Sequence, residues 1–423
     1  METVPTMFFR QLLHEDLGCA SYVIADGGEA VVVDPKWEIE DYLRLAALHG
    51  FELRHVLETH THADHVSGRA RLGLEPFEGD ELRVGETRIR AVETPGHRPE
   101  HRAFLVDGRA LLTGDSLFVG DVARPDLAVE PEEGARQLFA TIRRLLALDD
   151  HVEIWPGHIG GSMCGGAGMD EKPSSTIGRE RRENPFCRIE DEDELVRRLC
   201  SELVPQPPNF ERIVELNRDG PPSEAAPLEP LPPERVRALL DGGALLLDGR
   251  EPREFDARHL PGALNVTTTH TGVGTRAAWI VDAETEVLVT DATMVRLLEA
   301  VGFRRVRLAA PLPAAWPVET TPALDPGGLA ERLRRDGLLL LDVREDDEWD
   351  EGHVEGSLHV PYHDLRHGPP DELDGRPVAV ACSAGNRSAL AASLLRRQGV
   401  DRVVHVADGG VQDLADEGIE LVR

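Results

Sequence analysis

No apolar run in this chain of 423 residues approaches the roughly 20 needed to span a bilayer, so no transmembrane helix is expected. The opening stretch METVPTMFFRQLLHEDLG lacks a basic segment, an apolar core and a small-residue cleavage site, and a cytoplasmic location is the expectation. Cysteine is scarce. Cys19, Cys164, Cys187, Cys200 and Cys382 are odd in number and show no CxxC spacing, which argues against a disulfide framework or a zinc ribbon and leaves a thiol free for chemistry. Lysine occurs only at Lys36 and Lys172, and the net charge of -31 disfavours nucleic acid and anionic membrane surfaces as partners.

What is present fits a globular protein: 41% hydrophobic and 29% charged residues, on a chain too long for one ordinary core. From about residue 20 to 160, short runs such as SYVIA, AVVVDP, HVLETH, AFLVD and VEIWPGH alternate with turns and helix-like segments, the pattern of a layered α and β fold. In PEEGARQLFATIRRLL an acidic first turn precedes Leu138, Ile142, Leu145 and Leu146 at helical spacing, which predicts a core-facing helix. Prolines crowd residues 205–233 and mark the exit from a first domain, taken as 1–227.

The remainder repeats itself. LLLDGREPREFDARHLPGALNV (245–266) matches LLLDVREDDEWDEGHVEGSLHV (339–360), pairing Asp248 with Asp342, Arg250 with Arg344, Glu251 with Glu345, His259 with His353 and Gly262 with Gly356. Further on the offset grows from 91 (Val287 with Val378) to 97 (Gly302 with Gly399), so the first copy lacks six residues where the second has CSAGNRS. Asp291 stands where Cys382 would be. Two domains follow, 228–323 and 324–423, the first without a nucleophile.

Metal-seeking groups concentrate at apparent strand ends. THTHADHVSG carries His60, His62, Asp64 and His65, which are expected to point into one cleft, and His97 in TPGH, Asp115 in LLTGDS and His158 in WPGH join them. A lone histidine is usually a satisfied surface or core residue. Seven such groups behind apolar runs point to a divalent metal.

Cys382 lies between the strand-like VAVA and the helix-like ALAASLLRR. A thiol at such a turn receives backbone N–H groups and the positive end of the helix, which favours thiolate and stabilises a terminal persulfide. Ser383, Ala384, Gly385, Asn386 and Ser388 would line the sulfur, and Arg387 would draw an anionic donor or acceptor.

HxHxDH with the separate His, Asp and His resembles the metallo-β-lactamase fold, which implies an αββα sandwich with metal at the edge of two sheets. TGDSLFVGDVARPDL resembles the corresponding stretch of persulfide dioxygenases and of their glyoxalase II neighbours. In that dioxygenase family the counterparts of His60, His97 and Asp115 hold one Fe(II), while those of His62, Asp64, His65 and His158 bind no second metal. LDVRE, GHVEGSLHVP and CSAGNRS resemble the rhodanese sulfurtransferases, with Cys382 as nucleophile and Asp342 and Arg344 as supports of its loop. The resemblance therefore implies an α/β chain: a metallo-β-lactamase sandwich followed by two rhodanese-like domains with parallel sheets.

The implied chemistry oxidises a small-molecule thiol persulfide with O2 to sulfite and exchanges sulfur with sulfite or thiosulfate through Cys382. Arg124 is the candidate for the thiol carrier's carboxylate, and assembly as a homo-oligomer is left open. The stretch after His158 departs from glutathione-using relatives, so glutathione and coenzyme A both stand as carriers. Cys164 and Cys187 lie in or near it, as inert thiols or as persulfide carriers near the iron, while Cys19 and Cys200 read as packing residues. The alternatives are a glyoxalase II-like thioester hydrolase with two zinc ions and a non-catalytic sulfur carrier.

Overall fold

The computed structural model describes residues 7–160, 163–166, 168–201, 203–335 and 338–423. They form two compact units, one reaching Ala225 and including Ala300–Gly302, the other made of Ala226–Glu299 and Phe303–Arg423. Among the described residues no helix is long and apolar enough to cross a membrane.

In the first unit, β1 (Phe8–His14), β2 (Cys19–Asp26), β3 (Glu29–Val33) and β4 (Glu52–Leu57) make one sheet in that order, antiparallel except for the parallel β3–β4 pair. The other sheet runs β10 (Ser175–Thr176), β9 (Glu153–Pro156), β8 (Ala110–Gly114), β7 (Arg102–Val106), β6 (Thr87–Glu93) and β5 (Glu81–Val84). Both faces of the first sheet are covered. Tyr22, Ile24, Val31, Val33 and Leu57 pack with Ile89, Phe104, Val106 and Leu112 of the second sheet, while Val23, Ala25, Val32 and Tyr42 form a separate cluster outside. A strand covered on both faces needs continuous apolar sequence, which is why SYVIA and AVVV do not alternate.

The predicted helix spans Pro131–Leu145, and Leu138, Ile142, Leu145 and Leu146 are all buried against Leu105, Leu111 and Ile154. Each such side chain contributes roughly 1.5–3 kcal/mol by leaving water. The result is four layers, helix on sheet on sheet on helix.

The second unit holds two wholly parallel sheets. One is ordered β12 (Leu264–Asn265), β11 (Leu245–Asp248), β13 (Val287–Val289), β14 (Val306–Leu308). In the other, β15 (Ala323–Leu324) is followed by β20 (Val403–Val406), β19 (Val378–Ala381), β16 (Leu339–Asp342) and β18 (Leu358–His359), with β17 (His353–Val354) pairing outside it with β21 (Leu421–Val422). The repeat is visible in detail. His259 stacks on Phe255 with ring centroids 4.1 Å apart, and His353 stacks on Trp349 at 3.7 Å, each ring also bonded to that aromatic residue's carbonyl.

Candidate metal centre and cysteine loop

Strand ends deliver the polar groups to one edge of the sandwich. His60 follows β4, His97 follows β6, Asp115 directly follows β8 and His158 follows β9, and all four are buried. Glycine is required where these turns touch. Gly96 has φ 142° and a Cβ there would lie 2.7 Å from the Leu138 backbone; a Cβ on Gly157 would meet Asp115 Oδ1 at 2.5 Å.

The seven groups do not all face one point; they separate into overlapping clusters. His60, His97 and Asp115 bring one ligand atom each within 4.8 Å of one another. Asp115 Oδ2 is 3.5 Å from His97 Nε2 and 3.9 Å from His60 Nε2. Among the described residues none of these three buried atoms has a hydrogen-bond partner. Their other ends are fixed. Thr59 Oγ1 donates to Asp34 at 2.9 Å, so its lone pair accepts from His60 Nδ1, also at 2.9 Å. His97 Nδ1 donates to the Arg124 carbonyl at 3.0 Å. Each imidazole is thereby left with a lone pair on Nε2, the tautomer a metal takes.

Burial lowers the pKa of both His60 and His97, so they are neutral, ready ligands. Burial raises that of Asp115, but the charge and hydrogen bond of His158 carry it well below the usual carboxylate range. The three side chains therefore offer the donors and charge that a divalent ion needs.

His62 belongs elsewhere. Its Nε2 is 3.2 Å from Asp34 Oδ1 and 3.2 Å from Glu58 Oε2, and these carboxylates, against the opposing effect of burial, hold its pKa well above normal. Asp64 and His65 cluster with Cys19, and Asp64 also with His158 and Cys164. His158 bridges Asp115 Oδ1 and Asp64 Oδ2, both at 2.9 Å, and the two carboxylates outweigh burial to push its pKa up to about 10. A cavity of about 460 Å³ opens beside His60 and His62, with Arg69, Arg102 and Glu100 on its walls.

Several supports are single polar residues without a motif. Asp34, left-handed at φ 48°, accepts the Thr59 N–H at 2.7 Å. His101 is buried and accepts the Asp115 N–H at 2.9 Å. Asn217, on the helix Phe210–Asp219, donates to the His62 and His65 carbonyls at 2.9 and 2.8 Å and accepts from Ser67 N–H at 2.9 Å.

Arg124, the candidate for the thiol carrier's carboxylate, has partners within the protein. Its guanidinium is buried and donates to both oxygens of Asp126, at 2.7 and 2.8 Å, and to the Val204 carbonyl at 2.7 Å. Cys164 is buried with its pKa pushed well up, first by burial and then by Asp115 and Asp64; Cys187 sits in the core against the long helix. Cys19, read from sequence as a packing residue, lies among the metal-seeking groups. Gly161, Ser162 and Ala167, in the stretch that departs from glutathione-using relatives, lie outside the described residues.

In the second unit Cys382 is buried directly after β19, and the helix Asn386–Arg397 starts from Gly385 at φ 90°. Gly385 N–H points at the sulfur from 3.1 Å and Ser388 Oγ lies 3.4 Å from it. Arg387 bonds Ser383 Oγ and Glu348, both at 2.8 Å, so its charge is shared with an acid. In the first copy Asp291 accepts the Thr293 N–H at 2.6 Å at the start of the helix Ala292–Ala300, and it lines a cavity of about 640 Å³.

A four-layer sandwich with a buried histidine and aspartate cluster at its strand ends defines a metal-dependent enzyme class, here joined to a duplicated parallel-sheet unit. The model of the metallo-beta-lactamase superfamily matches residues 14–73, and that of the rhodanese-like domain matches 232–309 and 325–417. The hydroxyacylglutathione hydrolase of Anaeromyxobacter dehalogenans is 30% identical over 214 residues, 40% of this chain and 82% of that protein. A metallo-beta-lactamase structure from Staphylococcus aureus subsp. aureus COL aligns over 73% of this chain and 99% of its own with 26% identity and a TM-score of 0.65. ETHE1 from Myxococcus xanthus is 29% identical, covering 50% of this chain and 98% of its own, with a TM-score of 0.45. The chain belongs to the metallo-beta-lactamase superfamily and carries two rhodanese-like domains after its metallo-beta-lactamase fold.

Proposed function

We propose that the first unit is a persulfide dioxygenase with one Fe(II) per chain and that Cys382 is the nucleophile of a sulfurtransferase. The observation that carries the first part is the convergence of the unpartnered His60 Nε2, His97 Nε2 and Asp115 Oδ2, while His62 is held away by Asp34 and Glu58. Two histidines and one carboxylate on one side of an iron leave open positions at which a sulfur anion and dioxygen can meet.

The chain's own part is orientation and enclosure. Thr59 and the Arg124 carbonyl fix the two imidazoles, His101 fixes the Asp115 backbone, and the cavity beside His60 admits a small thiol. The overall reaction balances as RSSH + O2 + H2O giving RSH, sulfite and two protons. At Cys382 a persulfide passes its terminal sulfur to sulfite: the S–S bond to the cysteine breaks, a new one forms in thiosulfate, and the electron pair returns to Cys382 as thiolate. The reverse direction would load Cys382 from thiosulfate. The rhodanese-like domains support the dioxygenase reading because they handle the substrate and product sulfur of such a reaction.

The second reading is a dizinc thioester hydrolase, favoured by the unpartnered His65 Nε2 beside Asp64 and by the hydroxyacylglutathione hydrolase relative. Oxygen uptake separates the two. With glutathione persulfide or coenzyme A persulfide the wild type should consume O2, His97→Ala should lose this, and Cys382→Ser should retain it. Thioester cleavage without O2 uptake would establish the hydrolase instead.

A further inference from the structure

The first rhodanese-like copy has no cysteine, yet it reaches the active loop of the second. Asp256, at the end of the helix Pro252–Ala257, is buried and its Oδ2 lies 2.7 Å from His405 Nδ1. His405 is fully buried on β20, and its Nε2 lies 3.0 Å from the Gly385 carbonyl and 3.2 Å from Ser388 Oγ. These are the two residues that face the sulfur of Cys382, at 3.1 Å through Gly385 N–H and 3.4 Å through Ser388 Oγ.

The arrangement runs one way. The repeat places Asp350 opposite Asp256, but Asp350 is exposed. His405 pairs with Val380 in register, and the matching residue of the first copy, paired with Val289, is Leu308. A buried carboxylate in one copy and a buried imidazole in the other therefore meet only beneath the intact cysteine loop. The helix leaving that loop is held by the first copy too: Ser393 Oγ accepts the Asn265 N–H at 3.0 Å and Arg397 donates to the Gly262 carbonyl at 2.8 Å.

We propose that Asp256 is a positioning residue for sulfur transfer at Cys382, acting through His405 on Gly385 and Ser388; this rests on the sulfurtransferase reading. A carboxylate accepts only, so it fixes the proton on His405 Nδ1 and the plane of the ring. The Gly385 carbonyl also accepts only, so the geometry calls for a proton on Nε2 too; that N–H is aimed at the Gly385 carbonyl and the Ser388 oxygen, and the loop is held in the shape that turns the Gly385 N–H to the sulfur. The cysteine-less copy is thus part of the sulfur site's support, contributed by duplication rather than by a second chain. Other charged groups around the loop are Arg387 with its partners Glu348 and Glu345, from the second copy, and Asp408 beside Gly385, paired with Arg253 of the first copy at 2.7 Å.

The test uses the full chain as wild type, Asp256→Asn, Asp256→Glu and His405→Gln. Alkylation of Cys382 by iodoacetamide is followed against pH through the mass of its peptide, beside thiosulfate-to-cyanide sulfur transfer. Asp256→Asn and His405→Gln should lower kcat by about tenfold with KM for thiosulfate nearly unchanged. They should also raise the midpoint of the alkylation profile by about half a unit, since both groups facing the thiolate lose their alignment. Asp256→Glu should recover part of each. Wild-type values in Asp256→Asn, or lost transfer with an unmoved alkylation profile, would overturn the proposal. A wild type that alkylates normally but transfers no sulfur would count against the sulfurtransferase reading, while the alkylation comparison still decides the coupling.

Discussion

Replacing Arg344 by alanine should destabilise the second unit by about 3–5 kcal/mol, and the same change at Arg250 by only about 1–2 kcal/mol. The two ion pairs are near copies. In each, Nε is 2.9 Å from Oδ1 and Nη2 is 2.6 Å from Oδ2 of the aspartate two residues earlier. Each Nη2 also donates to a backbone carbonyl, Gly352 at 2.9 Å and Arg258 at 2.8 Å. What differs is solvent: Arg344 and Asp342 are 0% and 0% exposed, whereas Arg250 is 39% exposed over an Asp248 at 3%. Without Arg344, Asp342 is stranded as a buried carboxylate; without Arg250, water enters and solvates Asp248. Urea titration followed by tryptophan fluorescence should place the Arg344→Ala midpoint roughly 1–2 M below wild type, with Arg250→Ala much closer to it. Equal losses at the two positions would refute the argument from burial.

Two further tests address other parts of the chain. Asn217→Ala strands the buried His62 and His65 carbonyls and the Ser67 N–H, at about 1–3 kcal/mol for each unpaired group; a net loss of about 3 kcal/mol would speed amide exchange in residues 59–68 by roughly a hundredfold, and unchanged exchange would contradict the role given to Asn217. His14 Nε2 lies 3.3 Å from Glu38 Oε2; burial alone would lower the histidine and raise the acid, but their pairing does the reverse to each. The histidine's share of stability is therefore complete below about pH 6.5 and lost as pH rises through its raised folded value, while the glutamate's share is present above about pH 4.5 and lost as pH falls through its lowered one. His14→Gln should flatten the alkaline decline of the thermal midpoint, and parallel curves for the two proteins would contradict it.

The strands, the long helix and the duplication were legible because each rests on a period: continuous apolar runs where a strand is covered twice, a stripe from Leu138 to Leu146, and an offset shared by Asp248 and Asp342. The metal-seeking groups were legible for a related reason, since each stands at a strand end behind apolar residues. Their division into clusters was not, because the direction of His62 is decided by Asp34, a residue at an ordinary Asp-Pro turn distant in sequence. His101, Asn217 and Asp256 were invisible for the same reason: one polar residue has no pattern, and its partner is known only when the chain has folded. The partners of Arg124 were equally hidden, because a sequence shows a charge but not the Asp126 that takes two of its hydrogen bonds.

The central claim concerns the metal proposed for His60, His97 and Asp115, and metal analysis of the freshly purified full chain, with O2 uptake on glutathione persulfide measured on the same sample, tests it most directly. The account predicts close to one iron per chain and oxygen consumption that follows the iron content. Two zinc ions per chain, with dissolved oxygen left unchanged, would contradict it.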